Sequence, residues 1–257
     1  MNDKKKIFPD DGELFIANRL KPSKTLIFFV HFLKGHKKAL QRHIDFMNEL
    51  GHDAYVFNLK DDFKDHYFLP YCKATKKTGL KHVLAHQIFE HLELFPEYKS
   101  KVIFAFSNIS GCAIEAEARR RSILNRKDVK AFICDSGPGA DFIRSSYNLF
   151  KHQFKINSFV LRTILSGPFA LAWSPQLNKD IHSDLEKFPK DFPLLSIRGW
   201  RDLLITPESI NKIFDPHKNL KWKKLNLPEA GHVNGLRDFP TEYEPAVIDF
   251  LSDFKPL

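Results

Sequence analysis

The segment Thr25-Leu-Ile-Phe-Phe-Val-His31 carries apolar side chains at consecutive positions, not at every second one. A strand with that pattern is buried on both faces. Such a strand belongs to a mostly parallel sheet covered by helices on each side. The pattern recurs at Lys101–Phe106 and, more loosely, at Val129–Cys134 and Pro193–Gly199. Between these runs the period changes to that of a helix. Leu40, Ile44, Met47 and Leu50 share one face of a segment ended by Gly51, and Leu80, Leu84, Ile88, Leu92 and Phe95 share another. Further strands are expected at Glu13–Arg19, His52–Leu59 and Leu220–Leu227, and further helices at Ser110–Leu124, Pro207–Phe214 and Glu242–Phe254. Strand–helix alternation of this kind predicts an α/β fold with right-handed crossovers.

The rhythm breaks between about 137 and 190. Two apolar helical segments, 140–153 and 157–173, are followed there by a polar, proline-punctuated tail. This stretch is expected to be a cap inserted into a single domain covering residues 1–257. A length of 257 residues suits one generous domain.

Charge and cysteine content narrow the function classes. Lys plus Arg number 40 against 31 Asp plus Glu, a net charge of +9, but the basic residues are scattered in short clusters such as Lys37–Lys38 and Arg119–Arg121. No zinc-finger spacing or aromatic-interleaved basic motif appears, so no nucleic-acid partner is expected. A basic binder of nucleic acid or of an anionic membrane is the minor alternative. The three cysteines, Cys72, Cys112 and Cys134, are odd in number and far apart. They read as reduced thiols of a cytoplasmic protein, not as a disulfide framework or a metal site. The N-terminal residues are charged and lack an apolar signal core. Apolar runs such as Leu26–Val30 fall far short of the roughly 20 residues that span a bilayer, so no transmembrane segment is expected. Phenylalanine is abundant, 25 residues in all, enough to fill a core and line an apolar pocket.

In sheets of this type ligands bind beyond the carboxyl ends of the strands. Ser107-Asn108-Ile109-Ser110 follows the Lys101 strand. A serine on a tight strand-to-helix turn presents its hydroxyl beside free backbone N–H groups, the arrangement of a nucleophile elbow. No G-x-S-x-G marks the register. Ser107 would have Ala105 and Ile109 as flanking residues, Ser110 would have Asn108 and Cys112, and Asn108 at the nucleophile position would mean a dead enzyme. A polar helix cap is the competing reading of the same residues. Asp202 follows the Pro193 strand, where an acid can orient an imidazole, and His232 follows the last strand, where a general base belongs. Ser, then Asp, then His is the chain order of the α/β-hydrolases. Phe32 follows the Thr25 strand, where a second N–H for an oxyanion is expected. The absence of G-x-G-x-x-G and G-K-[ST] argues against a nucleotide cofactor, and no carboxylate accompanies His31 and His36 at a metal-ligand spacing. No cofactor or metal is expected.

From Gly12 to Phe254 the chain resembles an α/β-hydrolase. More narrowly it resembles the branch typified by transmembrane protein 53 and the fungal PaxU-like proteins. Phe106-Ser107-Asn108 is similar to their Phe-Ser-Asn-Gly-Gly elbow, and Asp135-Ser136-Gly137-Pro138-Gly139 to their Asp-Ser-x-Pro-Gly. Arg201-Asp202-Leu-Leu-Ile resembles their acid loop. His232-Val-Asn-Gly-Leu-Arg-Asp-Phe-Pro-Thr-Glu-Tyr resembles their His-Val-x-His-Leu-Arg-x-x-Pro-x-x-Tyr. The resemblance implies Ser107 as nucleophile, with Asn108 donating its N–H. The chain departs from the pattern where Gly-Gly becomes Ile109-Ser110. The expected function is a serine hydrolase, esterase- or lipase-like, acting on a small acyl substrate. A catalytically inactive ligand- or partner-binding protein of the same fold is the alternative. Sequence leaves the oligomeric state open.

Overall fold

A computed structural model describes residues 8–18, 25–60 and 69–254. The strands in chain order are β1 (Glu13–Phe15), β2 (Thr25–Val30), β3 (Asp53–Val56), β4 (Tyr71–Cys72), β5 (Lys77–Thr78), β6 (Ser100–Phe106), β7 (Val129–Asp135), β8 (Phe192–Gly199) and β9 (Leu220–Leu227). The helices are α1 (Gln41–Glu49), α2 (Leu80–Leu92), α3 (Ile109–Leu124), α4 (Phe142–His152), α5 (Phe159–Trp173), α6 (Leu177–Leu185), α7 (Pro207–Phe214), α8 (Gly235–Asp238) and α9 (Pro240–Leu251).

Among the described residues seven strands form one sheet in the order β1-β3-β2-β6-β7-β8-β9. Every neighbouring pair is parallel except β1 and β3. β4 and β5 pair separately as a short antiparallel hairpin. The consecutive apolar run of β2 explains its central place. Leu26, Phe28 and Val30 point to one face and Ile27 and Phe29 to the other, as the period of two requires. The first face is covered by α2, α3, α6 and α7 through residues such as Leu84, Ile114, Ile181 and Ile213. The second is covered by α1, α8 and α9 through Ile44, Met47, Leu236 and Val247.

Chain order doubles back between β2 and β6. β3 lies to one side of β2, while β7 to β9 extend from the far side of β6. The crevice outside the carboxyl ends of these two strands is the topological switch point, where open α/β sheets bind ligands. It lies next to Phe32, just past β2, and Ser107, just past β6.

The segment expected to be tail after residue 173 contains α6, whose Leu177, Ile181 and Leu185 fall at helical spacing and pack against the sheet's helical layer. The first strand is shorter than expected, and Arg19 lies outside the described residues. A 3-10 turn at Lys37–Leu40 precedes α1, so Leu40, the first residue of the apolar face, lies in that turn and the regular helix begins at Gln41. α4 and α5 pack on each other through Phe142 and Phe169, whose rings stack with centroids 6.0 Å apart, and through Phe142 and Trp173 at 5.2 Å.

Candidate active site

β6 ends at Phe106 and α3 begins at Ile109, so the chain turns within two residues. Ser107 adopts a positive φ of 57°, a conformation that non-glycine residues rarely take and that strained functional turns do take. Its N–H donates to the Asp135 carbonyl at 2.8 Å, which ties the turn to the end of β7. Asn108 is the first cap residue of α3, yet neither polar side chain caps the helix. The Asn108 Oδ1 accepts the N–H of Gly139 at 3.1 Å. The Ser107 hydroxyl lies 3.0 Å from His232 Nε2. The helix-cap reading of this segment is thereby replaced by two long-range contacts.

His232 Nδ1 lies 2.7 Å from Asp202 Oδ2. The other oxygen of Asp202 accepts the N–H groups of Leu204 and Ile205 at 2.8 and 2.9 Å, so the buried carboxylate is held by three N–H donors when Nδ1 carries the proton. The loops bearing Asp202 and His232 are zipped together by Trp200 N–H to Leu227 and Arg201 N–H to Ala230. Gly199 permits this approach, since a Cβ there would stand 2.4 Å from the Ala230 carbonyl oxygen. Ser107, His232 and Asp202, which follow three different strands, therefore form one hydrogen-bonded chain.

Ile109, the bulky residue after Asn108, is fully buried in the core below α3 and leaves the turn open. Close packing at the turn falls instead on Gly137, where a Cβ would lie 2.2 Å from the Ser107 carbonyl oxygen. Ser110 is fully buried in the first turn of α3, does not line the cavity and neighbours the Cys134 thiol, whose pKa burial pushes up to about 12. His31 ends β2 with Nε2 accepting the Leu59 N–H at 3.0 Å, and His36 accepts the Lys38 N–H at its own turn.

A cavity of about 370 Å³ opens over Ser107. Phe32, Leu33, Phe142, Leu149, Phe154, Phe169, Leu204, Ile205 and Val233 supply apolar walls, and Ser145, Ser146, Gln153, Asn108 and His232 add polar groups. Of the apolar residues in the 140–173 stretch, Phe142, Leu149, Phe154 and Phe169 line the cavity, Trp173 is buried against Phe142, and Phe159 and Leu161 are exposed. Phe32 and Asn108 both line the cavity, and neither backbone N–H makes a turn, loop or cap hydrogen bond among the described residues.

Sequence reasoning left the role of Ser136 open. Its hydroxyl donates to Asp135 Oδ1 at 2.8 Å and accepts the Val233 N–H at 3.0 Å, next to His232. Asp135, fully inside the protein, also accepts the Tyr243 hydroxyl at 2.8 Å. Burial raises its pKa to about 6; the bonds from Tyr243 and Ser136 and the charge of His232 oppose the rise, and that of Asp202 adds to it. In the sequence this carboxylate is marked by the Asp-Ser-x-Pro-Gly resemblance alone, and nothing in composition or periodicity separates it from other strand-end aspartates.

No family model matches the sequence, and no curated protein matches it. Solved structures do match. An esterase of Pyrococcus furiosus superposes with a TM-score of 0.62 at 19% identity, over 91% of this chain and 83% of that one. An α/β hydrolase enzyme from the metagenome of lagoon sediments at Mar Chica, Morocco, gives 0.60 at 16% identity, over 97% and 98%. The chain has the α/β-hydrolase fold. MenH of S. aureus is similar at a TM-score of 0.57 and 14% identity, over 94% of this chain and 98% of its own. Within the α/β-hydrolase fold, the hydrogen-bonded chain of Ser107, His232 and Asp202 lies at the switch point, under an apolar cavity that Phe32 and Asn108 also line. A hydroxyl beside an imidazole, with a carboxylate behind, can donate its proton and attack an electrophilic carbonyl.

Proposed function

We propose that the protein is a serine hydrolase, esterase- or lipase-like, that cleaves an ester or related acyl bond of a small apolar substrate. The observation that carries this reading is the continuous contact from Ser107 Oγ through both ring nitrogens of His232 to Asp202. Ser107 is the nucleophile, His232 the general base and acid, and Asp202 the group that orients the imidazole and stabilises its cation. The Ser107 Oγ forms a bond to the acyl carbon while its proton passes to His232 Nε2. The carbonyl π electrons move onto oxygen, where the N–H groups of Phe32 and Asn108 receive the charge. Collapse re-forms the carbonyl and breaks the bond to the leaving alcohol, which takes the proton from His232. Water then repeats the sequence, releasing the acid and restoring Ser107. These steps need no metal or cofactor.

The apolar walls favour an acyl chain over a polar acid, and the reading extends to related acyl bonds such as thioesters. We take residues 1–257 as one α/β-hydrolase domain in which about 137–190 is the cap, since Phe142 and Phe169 of that stretch roof the cavity. The motif resemblance supports the branch of transmembrane protein 53 and the PaxU-like proteins. Three free, buried cysteines suit a reducing compartment, and we assign the protein to the cytoplasm.

Hydrolysis of a p-nitrophenyl ester series from acetate to laurate tests the reading. Turnover is expected in the wild type and to fall by about 10⁴-fold in Ser107→Ala, with Ser110→Ala close to wild type. Equal activity in wild type and Ser107→Ala would contradict it.

A further inference from the structure

α5 is apolar on its inner face, through Phe169 and Trp173, and buries its charge there as well. Its one charged residue, Arg162, is buried, with its guanidinium donating to the Ile156 carbonyl at 3.0 Å and to the Tyr147 hydroxyl at 2.9 Å. Ser166, one turn on, is also buried and donates to the Arg162 carbonyl at 2.7 Å. The outer surface is apolar too. Val160, Ile164 and Leu171, near one another at helical spacing, are each more than half exposed, and Phe159 beside them is 66% exposed. A soluble helix normally shows water a polar face. An apolar face of this extent marks a surface that meets something else.

Charge says what. From Phe142 to Trp173 the sequence contains no Asp or Glu, while Arg144, Lys151 and Lys155 are exposed. Arg144 and Lys151 lie two turns apart on one side of α4, and none of the three pairs with a carboxylate among the described residues. Apolar side chains on α5 and unopposed cations on and after the adjoining α4 match the two layers of an anionic lipid surface, acyl boundary and headgroups. Phe154, two residues past α4, both lines the cavity and stands half exposed, so the exposed apolar surface of this stretch reaches the cavity. No helix among the described residues is long and apolar enough to cross a membrane, so the contact is peripheral.

We propose that the outer face of α4 and α5 docks on an anionic lipid bilayer, with the mouth of the cavity beside the acyl region. The face exists whether or not Ser107 is a nucleophile, so the two readings fail separately.

The test is flotation of the full chain with phosphatidylcholine vesicles, with and without phosphatidylserine, at low and high salt. Binding is expected with phosphatidylserine and is expected to weaken as salt rises. Ile164→Asp, at an exposed position outside the cavity, is expected to lower the partition coefficient about tenfold or more with its thermal unfolding unchanged. The double variant Lys151→Glu and Lys155→Glu is expected to lose about tenfold or more on anionic vesicles. Ser107→Ala is expected to bind like the wild type, which separates docking from hydrolysis. The proposal is overturned if the wild type binds neither vesicle, or if Ile164→Asp binds undiminished. It is also overturned if sedimentation velocity shows self-association that Ile164→Asp abolishes, which would assign the face to a second copy of the chain.

Discussion

Val233 donates its N–H to the Ser136 hydroxyl at 3.0 Å, joining two residues that both hold a positive φ, 54° and 57°. A β-branched valine in that region is strained, and the strain sits beside His232. Ser136 passes the contact on to Asp135. Ser136→Ala leaves the Val233 N–H without its acceptor and the histidine loop without its tether. We expect kcat to fall about tenfold with little change in KM, and stability to drop by about 1–2 kcal/mol. Ser136→Gly also removes the hydroxyl but suits the backbone. It should lose the same activity with a smaller stability loss, measured by ester hydrolysis and thermal unfolding together.

Gly137 is where the tightness of the Ser107 turn is felt. A methyl group there meets the Ser107 carbonyl oxygen at 2.2 Å and its carbon at 2.4 Å, and backbone cannot step aside as a flexible side chain can. Gly137→Ala is expected to cost about 3 kcal/mol in urea unfolding, the upper end of ordinary overpacking. Hydrolysis should fall as well, because the displaced atoms belong to Ser107 itself.

Asp135 gives a pH signature. Its folded pKa, about 6, lies above its usual 3.8 because burial penalises the charge. Between those values the native state binds the proton more tightly than the unfolded chain does. The group's contribution is therefore complete below about 4 and is lost as pH rises through about 6, on the order of 3 kcal/mol. Relative to Asp135→Asn, the wild type should lose stability over that interval, read as the difference in Tm between the two proteins from pH 4 to 7.

A second window comes from the junction of α2, α3 and α6. Lys81 and Glu115 form a buried ion pair, and His82 bridges Glu115 at 2.8 Å and Asp180 at 3.3 Å. Burial opposes the charge on His82, but its bonds to Asp180 and Glu115 prevail and raise its pKa. That contribution is present below the ordinary value of 6.5 and lost as pH rises through the folded value. Burial also opposes the charge on Glu115, yet Lys81 and His82 draw its pKa down to about 2. Glu115→Gln leaves the buried Lys81 with only the longer contact to Asp184, at 3.7 Å, and is expected to cost about 3 kcal/mol at neutral pH. His82→Gln should remove the decline above pH 6.5, both checked by chemical unfolding across pH.

The central strands and the loops that follow them were legible because β2 and β6 are apolar at consecutive positions and their flanking helices hold a clean period. Ser107, Asp202 and His232 stood out because each follows a strand, at one end of the sheet. Helix α6 was obscured by its polar residues and flanking prolines, although Leu177, Ile181 and Leu185 carry the period. The Lys81–Glu115–His82–Asp180 cluster had no signal, since its members meet only when three helices pack. Likewise the small residue that the turn requires was sought beside Ser107 in sequence, at Ala105 and Ile109. Space supplies it from Gly137, thirty residues along the chain.

The most direct test is to treat the folded protein with a fluorophosphonate and locate the adduct by tandem mass spectrometry. An activated serine forms a bond to phosphorus and expels fluoride, whereas an ordinary hydroxyl does not react at neutral pH. The account expects one adduct, on Ser107, lost in Ser107→Ala and strongly reduced in His232→Ala, with Ser110→Ala labelled as the wild type. A folded wild-type protein that takes up no label, or one labelled at Ser110, would contradict it.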